Sequence, residues 1–91
     1  MLRITIHSEG QATSLVIEGR LAGSCIEELR KCWQNATLSH PPRSIRIDLT
    51  DMTGLDAEGK ELLTQMQRQG ARLTGSGVMT EAVIEEIMST G

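Results

Sequence analysis

Four carboxylates, Asp48, Asp51, Asp56 and Glu58, fall within eleven residues of this 91-residue chain. Such a cluster is where chemistry would first be sought, because neighbouring carboxylates can hold a divalent cation or divide general-acid and general-base roles. Both chemistries need further groups, and the segment offers only Lys60 as a basic or nucleophilic neighbour. No Ser/His/Asp order and no phosphate-cradling glycine loop appears, and Gly75-Ser76-Gly77 is too short to be one. Simpler roles fit the four acids: Asp48 at a strand end, Asp51 in a solvated turn, and Asp56 and Glu58 at the start of a helix. His7 and His40 lie far apart and share no ligand spacing with Cys25 and Cys32. Those cysteines, seven apart in a predicted helix, are separated by about 10 Å of rise, too far for a disulfide, and read as small apolar residues. The residue types therefore argue against an enzyme and call for no metal or cofactor.

The elements that must position these residues follow from periodicity. Ile45, Ile47 and Leu49 alternate with Arg46 and Asp48, the period of a half-buried strand. Thr50 to Gly54 reads as a polar turn. Gly59, Leu62, Leu63 and Met66 then recur at i, i+3, i+4 and i+7, the inner stripe of a helix. Asp56 is its natural cap, Glu58 and Glu61 suit its positive end, and Gln69-Gly70 closes it. Gly59, without a side chain, lets the first turn lie close to the sheet.

Upstream, Leu2, Ile4 and Ile6 alternate with Arg3, Thr5 and His7, and Ser8-Glu9-Gly10-Gln11 turns the chain into a second strand over Thr13 to Glu18. Ser24 and Glu27 have the form of a capping box for a helix from Cys25 to Ala36, with Ile26, Leu29, Cys32, Trp33 and Ala36 at helical intervals. Thr37 to Arg43, with Pro41-Pro42, reads as an irregular link. Ala71 to Thr74 is a short last strand, and Thr80 caps a final helix whose inner face is Val83, Ile84, Ile87 and Met88, ended by Gly91. The order β-β-α-β-α-β-α implies an α/β fold, an open mixed four-stranded sheet with helices packed on it.

Composition sets the outer limits. Ninety-one residues make one domain over 1–91, which buries roughly 60–65% of the unfolded chain's surface. Net charge is −3, and the nine basic residues are scattered, so no basic patch tracks a nucleic-acid backbone. Trp33 is the only aromatic, which leaves no platform for stacking bases and makes the core aliphatic. Leu2 to Ile6 is unlike a signal peptide, and no stretch approaches the ~20 apolar residues of a membrane span. The chain reads as cytoplasmic.

Asp48-Leu49-Thr50 followed by Leu55-Asp56-Ala57-Glu58-Gly59 resembles the signature loop of STAS domains, the fold shared by anti-sigma factor antagonists and the tails of sulfate transporters. That family usually reads Asp-Leu-Ser, four variable or apolar positions, then apolar-Asp-Ser-Ser-Gly. Gly19, Leu21, Leu29 and Arg30 also fit the family's second strand and first helix, while Ala22 and Gly23 stand where an acidic residue is common. The resemblance runs from Leu15 to Gly91, and it implies the same mixed sheet. In regulated antagonists the second serine of the loop is phosphorylated by the partner kinase. Here that position is Glu58, Ala57 replaces the first serine, and Asp56 and Gly59 are kept.

The resemblance implies a non-enzymatic protein-interaction module whose partner, an anti-sigma factor or switch kinase, docks on Thr53, Asp56, Ala57, Glu58, Gly59 and the exposed face Lys60, Glu61, Thr64 and Arg68. A phosphate at a helix amino end adds nearly two negative charges where they have large leverage. Glu58 holds one fixed charge there, so the usual serine switch is expected to be missing; an acid chosen for helix stability alone is the other reading of Glu58. Thr50, Thr53 and Thr64 are the hydroxyls near enough to host a displaced switch. Two further readings stay open. One is a small-ligand or nucleotide sensor using the first-turn amides, opposed by the charge of Asp56 and Glu58. The other is an adaptor subunit in a larger regulatory or transport complex.

Overall fold

The computed structural model describes residues 2–10 and 12–90. Gln11, in the expected first turn, and Gly91, the expected stop of the last helix, lie outside the described residues. Strands Leu2–Glu9 (β1) and Ala12–Leu21 (β2) pair antiparallel, Leu2 opposite Gly19 and Glu9 opposite Ala12. Helix Cys25–Ser39 (α1) and a 3₁₀ turn at Pro42–Ser44 lead to Ile45–Asp48 (β3), parallel to β2 with Leu15 opposite Ile47.

At the next segment the structure keeps the expected turn at Thr50 and Asp51 but corrects its extent and the count of four strands. Met52–Leu55 is a strand (β4), parallel to β2 with Gly19 opposite Met52 and Leu21 opposite Leu55. β3 and β4 thus run one after the other beside the same strand. Between the pairs Val16–Asp48 and Gly19–Met52, β2 advances three residues and the β3–β4 chain four, so Leu49 to Asp51 is a bulge within one interrupted strand. Backbone bonds hold it. The Gly19 amide donates to the Asp51 carbonyl (3.1 Å), the Met52 amide to Leu49 (3.1 Å), and the Leu49 amide to Thr74 (2.8 Å). Helix Ala57–Arg68 (α2), strand Arg72–Thr74 (β5, parallel to β3) and helix Val78–Thr90 (α3) complete the five-stranded mixed sheet.

All three helices lie on one face. β2 and β3 direct Leu15, Ile17, Ile45 and Ile47 inward, where they meet Ile26, Leu29 and Trp33 of α1, Leu62, Leu63 and Met66 of α2, and Ile87 of α3. Each such side chain contributes about 1.5–3 kcal/mol by leaving water. Trp33, the one aromatic, is buried with its indole N–H donating to Gln69 Oε1 at 3.1 Å, which ties α1 to the end of α2.

Several local expectations are corrected. Ser24 makes no side-chain cap, because its own backbone is already helical (φ −66°, ψ −17°) rather than in the extended conformation a cap requires, and Glu27 lies by Arg30 (3.4 Å). α1 runs to Ser39, three residues past the predicted end, and part of the proline link is the 3₁₀ turn. Thr80 is not a cap but the third residue of α3, 5% exposed, and its hydroxyl donates to the Leu49 carbonyl at 3.2 Å, fastening α3 to the bulge. Met88, expected inside, is 59% exposed, while Ile87 is fully buried and Val83 and Ile84 are half-buried.

Candidate functional site

Asp56 organises the end of the molecule where β4 passes into α2. Its backbone is extended, and its Oδ1 accepts the Gly59 amide at 2.8 Å, the cap that the sequence predicts. Its other oxygen does what no sequence pattern foretold. Oδ2 accepts the Gly23 amide at 3.2 Å, and the Asp56 amide donates to the Leu21 carbonyl at 3.2 Å, so one residue joins the corner between β2 and α1 to the start of α2. The Gly59 amide first, then the Gly23 amide, with a smaller contribution from Arg20, hold the Asp56 carboxyl below the usual carboxylate range.

Gly59 explains why this corner closes so tightly. It is buried, and a Cβ there would sit 2.8 Å from the Leu21 carbonyl oxygen and 3.0 Å from Leu21 Cγ and Leu55 Cδ1. Behind it Leu62, Leu63 and Met66 bury the inner stripe of α2. Ala57, Glu61 and Arg68 are exposed, and Lys60 and Thr64 half-buried, in one outward stripe at helical spacing. Thr64 uses its hydroxyl locally, donating to the Lys60 carbonyl at 2.8 Å. Lys60 reaches sideways to an ion pair with Glu86 of α3. Glu58 is exposed on the opposite flank, in the row that leads to Gln69 and α1. Thr53 is exposed on β4. Most of the residues named from the sequence therefore gather at the amino end of α2, with Gly59 a buried support and Glu58 set apart from Lys60 by half the helix, whereas Arg68 closes the carboxyl end, about 16 Å further along.

The four carboxylates do not converge. Asp48 Oδ1 accepts the Thr50 amide at 2.9 Å, Asp51 is exposed in the bulge, and Asp56 is committed to two amides. Among the described residues no three His, Cys, Asp or Glu side chains come together as metal ligands. Cys25 and Cys32 are free and half-buried, and burial, then Glu28, pushes the Cys32 thiol up, away from the thiolate a nucleophile requires. No helix among the described residues is long and apolar enough to cross a membrane.

Sequence reasoning missed a groove beside this end. It encloses about 280 Å³ between β4, the start of α2 and the start of α3, with Met52, Leu55, Ala57, Met79 and Val83 as its apolar wall and Asp56, Lys60 and Glu86 at its polar edge. Val78 and Met79 beside it are 87% and 59% exposed. The available signal was the pair Val78-Met79, two apolar residues ahead of the inner stripe of α3 and in excess of what that stripe needs.

A mixed sheet in this order, covered on one face by three helices, with a capped helix start following an interrupted strand, is the SpoIIAA-like, or STAS, fold. The chain is similar to an anti-sigma factor antagonist from Mycobacterium paratuberculosis, with a TM-score of 0.82 over 98% of this chain and 80% of that one, at 15% identity. It is also similar to a DUF3478-family protein with a SpoIIAA-like fold from Shewanella loihica PV-4, with a TM-score of 0.63, covering 98% and 79% of the two chains at 16% identity. A third likeness, to the protein called Mglu, spans 81% of this chain but 19% of that one, with a TM-score of 0.62 at 17% identity. The likeness at these identities is one of fold. No protein-family model matches the sequence, and no curated protein matches it either.

Proposed function

We propose that the chain is a non-enzymatic interaction module of the anti-sigma factor antagonist kind, docking a regulatory protein on the amino end of α2 and the stripe Ala57, Lys60, Glu61, Thr64 and Arg68. The observation that carries this reading is the double use of Asp56, which binds the amides of Gly59 and Gly23 and so fixes two loops into one surface before any partner arrives. A surface ordered in advance loses less entropy on binding. Glu58 stands exposed at the position that is a phosphorylatable serine in regulated STAS proteins, as the loop resemblance aligns them. A glutamate has no hydroxyl for a serine kinase to phosphorylate, so the charge at this helix end is constant, close to half that of a phosphoserine. The module then binds without the usual switch, and its partner tolerates or uses one negative charge there.

Affinity capture with three baits tests this reading: the native chain, Glu58→Ser and Glu58→Ala. Retention of a kinase-like regulator by the native chain, with phosphorylation and release of Glu58→Ser, supports it. Retention of no such regulator by any bait, or phosphate found on Thr50, Thr53 or Thr64 of the native chain, contradicts it. Against a nucleotide reading stand the acids Asp56 and Glu58 at the helix end, which repel a phosphate from the first-turn amides.

A further inference from the structure

β1 is an outer strand of eight residues, and among the described residues it pairs with β2 alone. The outer strands on the far side, β4 and β5, are four and three residues long, and a bulge precedes β4. Short strands and bulges are how a sheet keeps its edge from pairing with another chain. β1 is neither short nor bulged. It has no proline, and its register against β2 runs unbroken from Leu2 to Glu9. Leu2 and Ile4 pack on the core from the helix-covered face, whereas Ile6, next in the same row, is 52% exposed. On the opposite face Arg3 and Glu9 are exposed at the two ends of the strand, and neither is in an ion pair among the described residues.

The backbone decides which residues can meet a partner at this edge. Glu9 and Ala12 pair across a two-residue connection, which makes theirs a hydrogen-bonded pair. Bonded pairs alternate along antiparallel strands, so Arg3, Thr5, His7 and Glu9 bond to β2, while Leu2, Ile4, Ile6 and Ser8 turn their amides and carbonyls outward. When a second copy approaches about a two-fold axis, outward residues must meet outward residues. Axes at Ile4, Thr5 or His7 satisfy this but set Arg3 or Glu9 against Thr5 or His7. An axis at Ile6 sets Arg3 of each copy opposite Glu9 of the other, twice by symmetry, and brings the two exposed Ile6 side chains together. We propose that the chain forms a two-fold dimer through β1, antiparallel and centred on Ile6, joining the two sheets into one. The symmetry closes the assembly at two, because the long edge of each copy is used up and only the short outer strands remain. The dimer is independent of the docking surface proposed on α2.

Sedimentation equilibrium of the chain alone tests the proposal. Pairing along one strand edge makes a small interface of the exchanging kind, so the average mass is expected to rise from one chain toward two between about 1 µM and 1 mM. Glu9→Arg and Arg3→Glu each set like charges opposite one another at both ends of the pair, and each is expected to weaken the dimer at least about tenfold. Their equimolar mixture, in which every charge again faces its opposite, is expected to recover it, as is the double variant. Ile6→Lys, which puts two ammonium groups on the axis, is expected to abolish the dimer, whereas Met88→Lys, at a similarly exposed position on α3, leaves it intact. Arg3→Glu also places a second acid opposite Glu18; if circular dichroism shows that variant unfolded, Glu9→Arg and Ile6→Lys, both at exposed positions, decide the outcome. A native chain that stays monomeric at about 1 mM, a mass that climbs beyond two chains, a mixture no tighter than the single variants, or a dimer that survives Ile6→Lys would each overturn the proposal. No regulatory partner is present in this assay, so its failure is separate from failure of the capture experiment.

Discussion

Replacing Gly59 with alanine sets two effects of opposite sign against each other. On helix propensity the change gains about 1 kcal/mol, since glycine is the poorest ordinary residue in a helix. On packing it loses more. The new Cβ would lie 2.8 Å from the Leu21 carbonyl oxygen, a backbone atom that already accepts the Asp56 amide, and 3.0 Å from two apolar carbons. Relief requires α2 to move away from β2, stretching that bond and the one from Gly23 to Asp56. Overpacking of this kind costs ~1–3 kcal/mol, and a weakened backbone bond adds ~1 kcal/mol. The net loss is about 1–3 kcal/mol, equivalent to roughly 4–24 °C in Tm for a domain of this size. Urea unfolding followed by the fluorescence of Trp33, the single buried aromatic, measures it directly. The midpoint should fall at unchanged slope. Ala82→Gly on the exposed side of α3 calibrates the propensity effect, with an expected loss of up to ~1 kcal/mol. A Gly59→Ala protein as stable as the native one, or more so, would refute the claim that close approach dictates the glycine.

Acid sensitivity at Asp56 has a definite sign. Its folded pKa is lowered by the Gly59 and Gly23 amides, so its stabilisation is complete above the unfolded value of about 3.9 and is lost as pH falls through the folded value. Acid titration of stability should therefore be shallower below pH ~4 in Asp56→Asn, and an identical slope would show the carboxylate bonds to be unimportant. Thr80→Val keeps shape but removes the buried bond to the Leu49 carbonyl, with an expected loss of ~0.5–1.5 kcal/mol in urea unfolding. Gly23→Ala meets no atom within 4 Å, but its φ of +61° is left-handed, so calorimetry should find a cost of about 1–2 kcal/mol. Lys60→Ala breaks a pair that is largely solvated and should change stability by less than ~1 kcal/mol.

Most of the architecture was legible because its signals are local. Alternation placed β1, β2 and β3, the i, i+3, i+4 stripe placed α2, and Asp56 was read as a cap from its type and position. The bulge was not legible. Thr50 to Gly54 is polar and carries a glycine; Thr50 and Asp51 do turn, and only the pairing of Met52 with Gly19, more than thirty residues away in sequence, makes the rest a strand. Thr80 looked like a cap for the same reason that it is not one. Its hydroxyl is committed to Leu49 across the fold, a bond that depends on tertiary position. Ser24 and Glu27 have the spacing of a capping box, but the backbone at Ser24 is already helical, a conformation set by the corner at Ala22 and Gly23, whose carbonyls accept the Cys25 and Ile26 amides. At the site, the stripe along α2 followed from spacing, whereas the second role of Asp56 and the groove with Met79 arise where elements distant in sequence meet.

Hydrogen exchange on the chain with and without its captured regulator tests the central claim most directly. Slowed exchange confined to amides of residues 53–64 of β4 and α2 and 78–86 of α3 is the expected result. Protection instead on the open sheet face around Arg46 and Arg72, with the amino end of α2 exchanging as in the free protein, would contradict it.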